Sequence, residues 1–418
     1  MVKLNNNKIW DIAKKVIPSG NCFLSKNPIK HPSTKWPKYF SKAKGCEIWD
    51  IQGKKFYDFF LMGVGTNVLG YADSEIDNKV IAEIKKSNVS SLNTKYEVDL
   101  ASLLLKIHPW AQMAKFARTG GEANSLAIRA AKAYNEKEKI IVCGYHGWHD
   151  WYLGAKFSSK YNNLETHLFE NLKFKGVSKA FKNQVYSISY GDINSLREII
   201  DSSNDISCFI MEVGRDYYPD KKFLLNVKSL CRKNKIVLIF DECTTGFREF
   251  YGGLHLRYGV NPDIAMFGKA IGNGYAITSI IGKKKIMKSF NETFVSSTFW
   301  SEKIGFVAGV ATIKKMKRIK SWLRLKNKAK LIKSEIKKIA IKNKLTISFL
   351  GMDTLITFSI KGIKNTELNK FIADDMIKKN FLTGNRLYVS LSHSESLIKK
   401  YIKNMDIVFK KISSKIHG

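Results

Sequence analysis

Arginine is scarce in this chain. It accounts for ten of the 71 basic residues, and the rest are lysines spread from end to end. A nucleic-acid groove concentrates its charge, draws on arginine's bidentate fork and interleaves aromatics. Dispersed lysines beside abundant Asn and Ile fit a solvated surface instead. The net charge of +35 therefore predicts no nucleic-acid partner, though acidic or phosphorylated substrates stay open. Long apolar runs are also missing, so no membrane span is expected. Met1 to Gly20 carries scattered lysines without a continuous apolar core, so no signal peptide is expected. Six cysteines occur with no Cys-x-x-Cys pair, which reads as reduced thiols of a cytoplasmic protein and gives no metal site. Proline is thin too, and four of the seven fall between positions 18 and 37.

What is present has the size and apolar content of one large and one smaller domain. Residues 1–65 read as an N-terminal arm broken into loops by Pro18, Pro28, Pro32 and Pro37, followed by short strands at Glu47–Asp50 and Lys55–Phe60. Residues 66–310 alternate helices with short apolar strands, namely Ile140–Val142, Ile206–Met211 and Ile236–Phe240, with a helix at Ala123–Tyr134. That alternation predicts an α/β fold with a mainly parallel central sheet and helices on both faces. In 311–418, Trp322, Leu325, Ala329, Ile332, Ile336 and Ile339 recur at helical steps. Strand-like runs follow at Leu355–Phe358 and Leu387–Leu391, so this part reads as a small α+β domain.

In parallel sheets, ligands collect at the carboxyl ends of the strands, and the polar residues of interest follow those strands. Asp241 ends a Val/Ile/Leu strand, with Glu242 and Cys243 after it. A carboxylate there needs a partner. A protonated pyridine nitrogen is one; a salt bridge to a lysine or to Arg248 is another. Lys269 stands between Gly268 and the glycines 272 and 274, with little other charge nearby. A lysine so placed is partly desolvated and suited to form a Schiff base and move a proton. A ring-nitrogen carboxylate and such a lysine are what pyridoxal 5'-phosphate chemistry needs. Gly120 and Gly121 open a helix and expose backbone N–H groups to an anion, a weak signal alone. Tyr145 and His146 follow a strand end. Tyr145 can stack on a flat ring or simply be a core aromatic, and His146 can be a satisfied loop histidine. His149 reads as a loop residue. Glu212 ends another strand and is a catalytic candidate that could touch the ring substituents or the substrate, and Thr298 lies in a polar turn that could add a hydroxyl to a phosphate, each signal alone little better than a turn or capping residue.

Together and in this order, these segments resemble the class III aminotransferases of fold type I, and within them the glutamate-1-semialdehyde 2,1-aminomutase group. The resemblance rests on Thr119-Gly120-Gly121-Glu122-Ala123, Tyr145-His146-Gly147, Met211-Glu212, Phe240-Asp241-Glu242-Cys243-Thr244-Thr245-Gly246-Phe247-Arg248 and Pro262-Asp263 through Gly268-Lys269 to Gly274. It extends from Ile17-Pro18-Ser19-Gly20 to Ser392-His393-Ser394-Glu395. It implies that Lys269 holds the cofactor and Asp241 its ring nitrogen. Gly120 and Gly121 would take the phosphate, Tyr145 the ring face with His146 beside it, and Cys243 and Glu212 would line the site. Thr298 would reach the phosphate in the neighbouring subunit of a homodimer with shared sites.

The chain departs from the pattern at three places. The family often has a hydroxyl residue where Gly121 stands. Lys26 stands where the aminomutases use an arginine for the substrate carboxylate. The segment Leu61-Met62-Gly63-Val64-Gly65-Thr66-Asn67 also differs. These departures favour an aminotransferase that takes an amine from a donor to an aldehyde or ketone. The alternatives are intramolecular transfer on glutamate 1-semialdehyde, and a basic, non-catalytic binding protein on the same fold.

Overall fold

The computed structural model describes residues 5–166, 168 and 172–417. The chain divides into two compact units. One holds the residues up to Asp77 together with those from Lys320 onward; the other runs from Asn78 to Ile319.

The middle unit is built on a seven-stranded sheet. Its strands in chain order are β1 (Met113–Ala117), β2 (Lys139–Cys143), β3 (Val185–Ser187), β4 (Ile206–Glu212), β5 (Val237–Asp241), β6 (Ile264–Phe267) and β7 (Thr278–Gly282). Across the sheet they run β1-β7-β6-β5-β4-β2-β3. Only β7 is antiparallel to its neighbours. Every residue of β4 and β5 is buried, which explains why both read as continuous apolar runs rather than alternations. Ile140, Val142, Cys208, Ile210, Val237 and Ile239 share one core with Ala123, Ala127, Ala130 and Ala131 of the helix Gly120–Asn135. The intervening Ile141, Phe209, Met211, Leu238 and Phe240 point the other way and are equally buried, so both faces are covered. Alanines on that helix let its backbone lie close to the sheet.

The other unit carries two small sheets. Phe40–Lys44, Glu47–Asp50 and Lys55–Asp58 are antiparallel, and Phe381–Leu382 adds in parallel. Ile347–Leu350, Leu355–Ile360 and Arg386–Tyr388 form a second antiparallel sheet. The helix Ser321–Lys342 buries Leu325, Ala329, Ile332, Ile336 and Ile339, the stripe read from the sequence. Phe59 stacks on Tyr401 with ring centroids 4.6 Å apart.

Residues 5–40 correct the reading of loops alone. Asn6–Val16 is a helix, started by Asn5, whose side chain accepts from the N–H groups of Asn7 and Lys8, and anchored by buried Trp10 and Ala13. Only its successors, Pro18–Gly20, Leu24–Lys26 and Pro28–Lys30, are short 3₁₀ turns. Two strands are shorter than expected. Lys55–Asp58 stops before Phe59, and Arg386–Tyr388 stops where Val389 leaves the ladder.

Two histidines are built into the folded state as neutral rings. His393 donates from Nε2 to Asp58 O (2.8 Å) and accepts at Nδ1 from Ser390 N (3.2 Å). Burial holds it down to about 4. His108, in the middle unit, is likewise pushed down to about 4, first by burial and then by the neighbouring His255. An unfolded chain protonates both near 6.5. Their penalty is absent above that pH and grows as pH falls from 6.5 to 4, by about 1.4 kcal/mol per pH unit for each ring. Denaturant midpoints measured across this window should fall steadily. A flat profile would show that neither ring stays neutral in the fold.

Candidate active site

Three neighbouring strands deliver the site. Glu212 and Asp241 are register partners at the carboxyl ends of β4 and β5, and Cys143 pairs with Met211 one strand further. The chain leaving β2 turns at Gly144, whose φ is +109°. A Cβ there would lie 2.8 Å from Glu212 Oε2, so only glycine permits both the turn and the contact. The next residue, Tyr145, donates its backbone N–H to Glu212 Oε2 (2.9 Å). His146 follows and turns inward.

Asp241 is 4% exposed, yet well supplied with donors. His146 Nδ1 donates to Oδ2 (2.9 Å), Asn124 Nδ2 donates to the same oxygen (3.0 Å), and Cys243 N donates to Oδ1 (3.0 Å). Burial works to raise this carboxyl. The His146 hydrogen bond and charge, with the other donors, outweigh it and hold the group below the usual carboxylate range. Oδ1 keeps a lone pair for one further N–H. Glu212 behaves differently. Burial dominates and raises it, against the pull of Arg215, whose guanidinium stands 3.3 Å away. Glu242 turns to the far side, where it accepts from His255 Nδ1 (2.7 Å), His255 N (2.8 Å), Leu254 N (2.8 Å) and Thr245 Oγ1 (2.7 Å). It braces the strand end rather than the cleft.

Lys269 begins the 3₁₀ turn Lys269–Gly272 after β6. It is half-buried, and Nζ donates to Thr244 Oγ1 (2.7 Å). Its φ of +47° lies in the left-handed region, a strain of order 1 kcal/mol for a side chain of this kind. The helix that begins at Gly120 is closed by a capping box: Thr119 accepts from Glu122 N, and Glu122 Oε2 accepts from Thr119 N (2.8 Å). Gly120 and Gly121 are the first two residues of this helix, where backbone N–H groups have no partner within the helix and the dipole is positive. Cys243 Sγ lies 3.3 Å from where a Gly120 Cβ would sit, and burial first of all keeps its thiol protonated.

The structure thus brings Asp241, His146, Glu212, Tyr145 and Cys243 to one end of the sheet. Lys269 joins them through Thr244, and Gly120 through Cys243. Thr298 stands apart. It is exposed, at the head of the turn Thr298–Ser301, which Arg118 fastens by donating to the carbonyls of Phe299 (2.7 Å) and Trp300 (3.0 Å). Two contributors escaped the sequence reading. Asn124 carries no motif signal beyond lying one turn inside the glycine-started helix. Thr244 stood within the Asp-Glu-Cys-Thr-Thr run with no partner to mark it.

A buried carboxylate held in its anionic form and an amine on a strained turn thus lie at the carboxyl end of the sheet, near a helix start. The model of the family described as aminotransferase class-III matches residues 29–394, and the chain belongs to that family of pyridoxal-phosphate-dependent enzymes of amino transfer. It is 31% identical over 352 residues to 3-aminobutyryl-CoA aminotransferase of Cloacimonas acidaminovorans, covering 82% of this chain and 80% of that one. It is 34% identical over 332 residues to glutamate-1-semialdehyde 2,1-aminomutase of Nitrosopumilus maritimus, covering 77% and 75%. The fold is that of an omega-transaminase from Sphaerobacter thermophilus, with a TM-score of 0.85 at 20% identity over 98% of each chain. Family membership makes the chain an enzyme and sets aside the non-catalytic reading.

The support of Asp241 gives a direct test. His146→Ala removes one of two donors to Oδ2 and should cost roughly 1–3 kcal/mol of stability in chemical denaturation. No loss would mean that the pair does not hold the carboxylate.

Proposed function

We propose that this chain moves an amino group from a donor to an aldehyde or ketone acceptor, with Lys269 as the residue that binds the cofactor covalently. The observation that carries this reading is the Asp241 carboxylate, which is buried, kept anionic and left with acceptor capacity at Oδ1. The residues present fit pyridoxal phosphate. Asp241 would hold a proton on the ring nitrogen, with His146 and Asn124 fixing the carboxylate plane. Gly120 and Gly121 would hold the phosphate through their N–H groups. Tyr145 would cover one ring face and Cys243 would pack at its edge. When bound, the cofactor supplies an aldehyde carbon that takes up amines and a ring that draws off electrons.

The rest is done by the chain's own groups. Lys269 Nζ, oriented by Thr244 Oγ1, would carry the proton between the substrate carbon and the cofactor. Glu212, buried between Tyr145 N and Arg215, would fix the loop that bears Tyr145 and His146. Thr298, on an exposed turn, would complete the phosphate site of a second copy. A homodimer is supported by large exposed apolar side chains on this unit, Leu92, Trp148, Phe294 and Phe299. The six free cysteines support a reducing, cytoplasmic setting, and among the described residues no helix is long and apolar enough to cross a membrane.

Transfer between two molecules is favoured over transfer within one because Lys26 is an exposed lysine, which does not clamp a carboxylate as an arginine does. A small carbonyl compound such as a sugar is the acceptor class this points to. A screen with strict preference for α-keto acids would count against it. The intramolecular reading stays in play because of the aminomutase relatives.

Absorbance of the purified protein should change on addition of an amino donor and revert with the acceptor, and Lys269→Ala should lose turnover by at least a thousandfold. A protein that takes up no added pyridoxal phosphate would refute the assignment. Donor dependence separates the two reactions: efficient conversion of glutamate 1-semialdehyde to 5-aminolevulinate without a donor would establish the aminomutase.

A further inference from the structure

Gly121 is the second residue of the helix that starts at Gly120. A Cβ built there would lie 2.4 Å from Cε1 and 2.5 Å from Nδ1 of His149. The edge of the His149 ring therefore fills the volume that a side chain at position 121 would take. Its Nδ1 is shut off from solvent and has no hydrogen-bond partner among the described residues. A buried nitrogen left in that condition costs about 1–3 kcal/mol, so the arrangement calls for a ligand that satisfies it.

The ring is held in place from several sides. Trp151 Nε1 donates to Ser125 Oγ (3.0 Å), which donates to Gly121 O (2.9 Å), tying the loop to the helix start. His149 O accepts from Tyr152 N (2.9 Å) and Leu153 N (3.1 Å). Trp148 stacks on the imidazole at 4.7 Å and 24°. Two carboxylates lie near. Glu122 is engaged by Thr119 N (2.8 Å), Arg118 N (3.0 Å) and Trp300 Nε1 (3.2 Å), and Asp150 is exposed. Neither is bonded to the ring nitrogen.

We infer that His149 binds the cofactor phosphate through Nδ1–H, from the volume that a side chain at position 121 would take. The inference rests on the pyridoxal-phosphate reading and adds a residue to it. Burial lowers the imidazole, against Glu122 and Asp150, so the ring arrives neutral. The inference assigns its single proton to Nδ1. A neutral donor on a rigid loop can hold a phosphate oxygen with little side-chain entropy to lose. The larger ring also accounts for the residue opposite it: only glycine leaves room.

The test compares binding of pyridoxal phosphate and of pyridoxal, which lacks the phosphate, to the apo-protein by absorbance and fluorescence titration. His149→Ala should weaken pyridoxal phosphate about tenfold or more and pyridoxal by less than twofold. His149→Phe keeps a ring in the volume without the donor and should show the same selective loss. His149→Ala combined with Gly121→Ser should regain most of it, and Gly121→Ser alone should be impaired because serine's Cβ meets the ring. Circular dichroism checks that each variant is folded. If His149→Phe binds the phosphate compound as well as the wild type does, the ring only fills space and the inference fails. It fails equally if His149→Ala weakens both compounds alike. A wild type that binds neither compound would overturn the pyridoxal-phosphate reading itself, a result distinct from a lost phosphate preference.

Discussion

Everything at this site depends on keeping one carboxylate charged inside the protein. Asp241 closes a strand with no exposed residue, where an unpaired charge costs several kcal/mol. The fold meets that cost with donors from three directions: a loop histidine, a helix asparagine and the backbone two residues on. Each comes from a different element, so the carboxylate also fastens these elements to one another. The charge and the local architecture thus require each other.

The same logic explains how far the sequence could be read. Continuous apolar runs at Ile206 and Val237 marked buried parallel strands, since a strand covered on both faces has no polar side to show. The stripe from Leu325 to Ile339 marked its helix for the complementary reason. Asp241, Lys269 and the glycine pair were legible because a carboxylate at a strand end, a lone lysine among glycines and a glycine-started helix each violate ordinary packing. Asn124 was not legible. It bonds a residue 117 positions away, and an asparagine in a helix looks the same whatever it touches. Thr244 was hidden likewise, because a threonine hydroxyl gains meaning only from the amine it faces. The helix Asn6–Val16 was not legible because its lysines and asparagines leave a narrow apolar stripe and Pro18 closes it after three turns.

Position 121 shows how the space beside a helix start can be filled from another segment. A glycine and a histidine 28 residues apart in sequence occupy one volume between them. Read one at a time, the glycine looks like a loss and the histidine like an ordinary loop residue. The lysine-rich surface carries no such pairing of roles. Several of its ion pairs join residues one helical turn apart at the surface, as in Lys95–Asp99 and Lys14–Asp11. Contacts of that kind are worth about 0–1 kcal/mol each.

The left-handed backbone at Lys269 has an evolutionary corollary. At this position the residue that would suit the backbone best is glycine, and the residue that the proposed function requires is lysine. Stability and activity therefore pull in opposite directions on a single codon. A chain chosen only for a sturdier fold would be drawn to discard the amine.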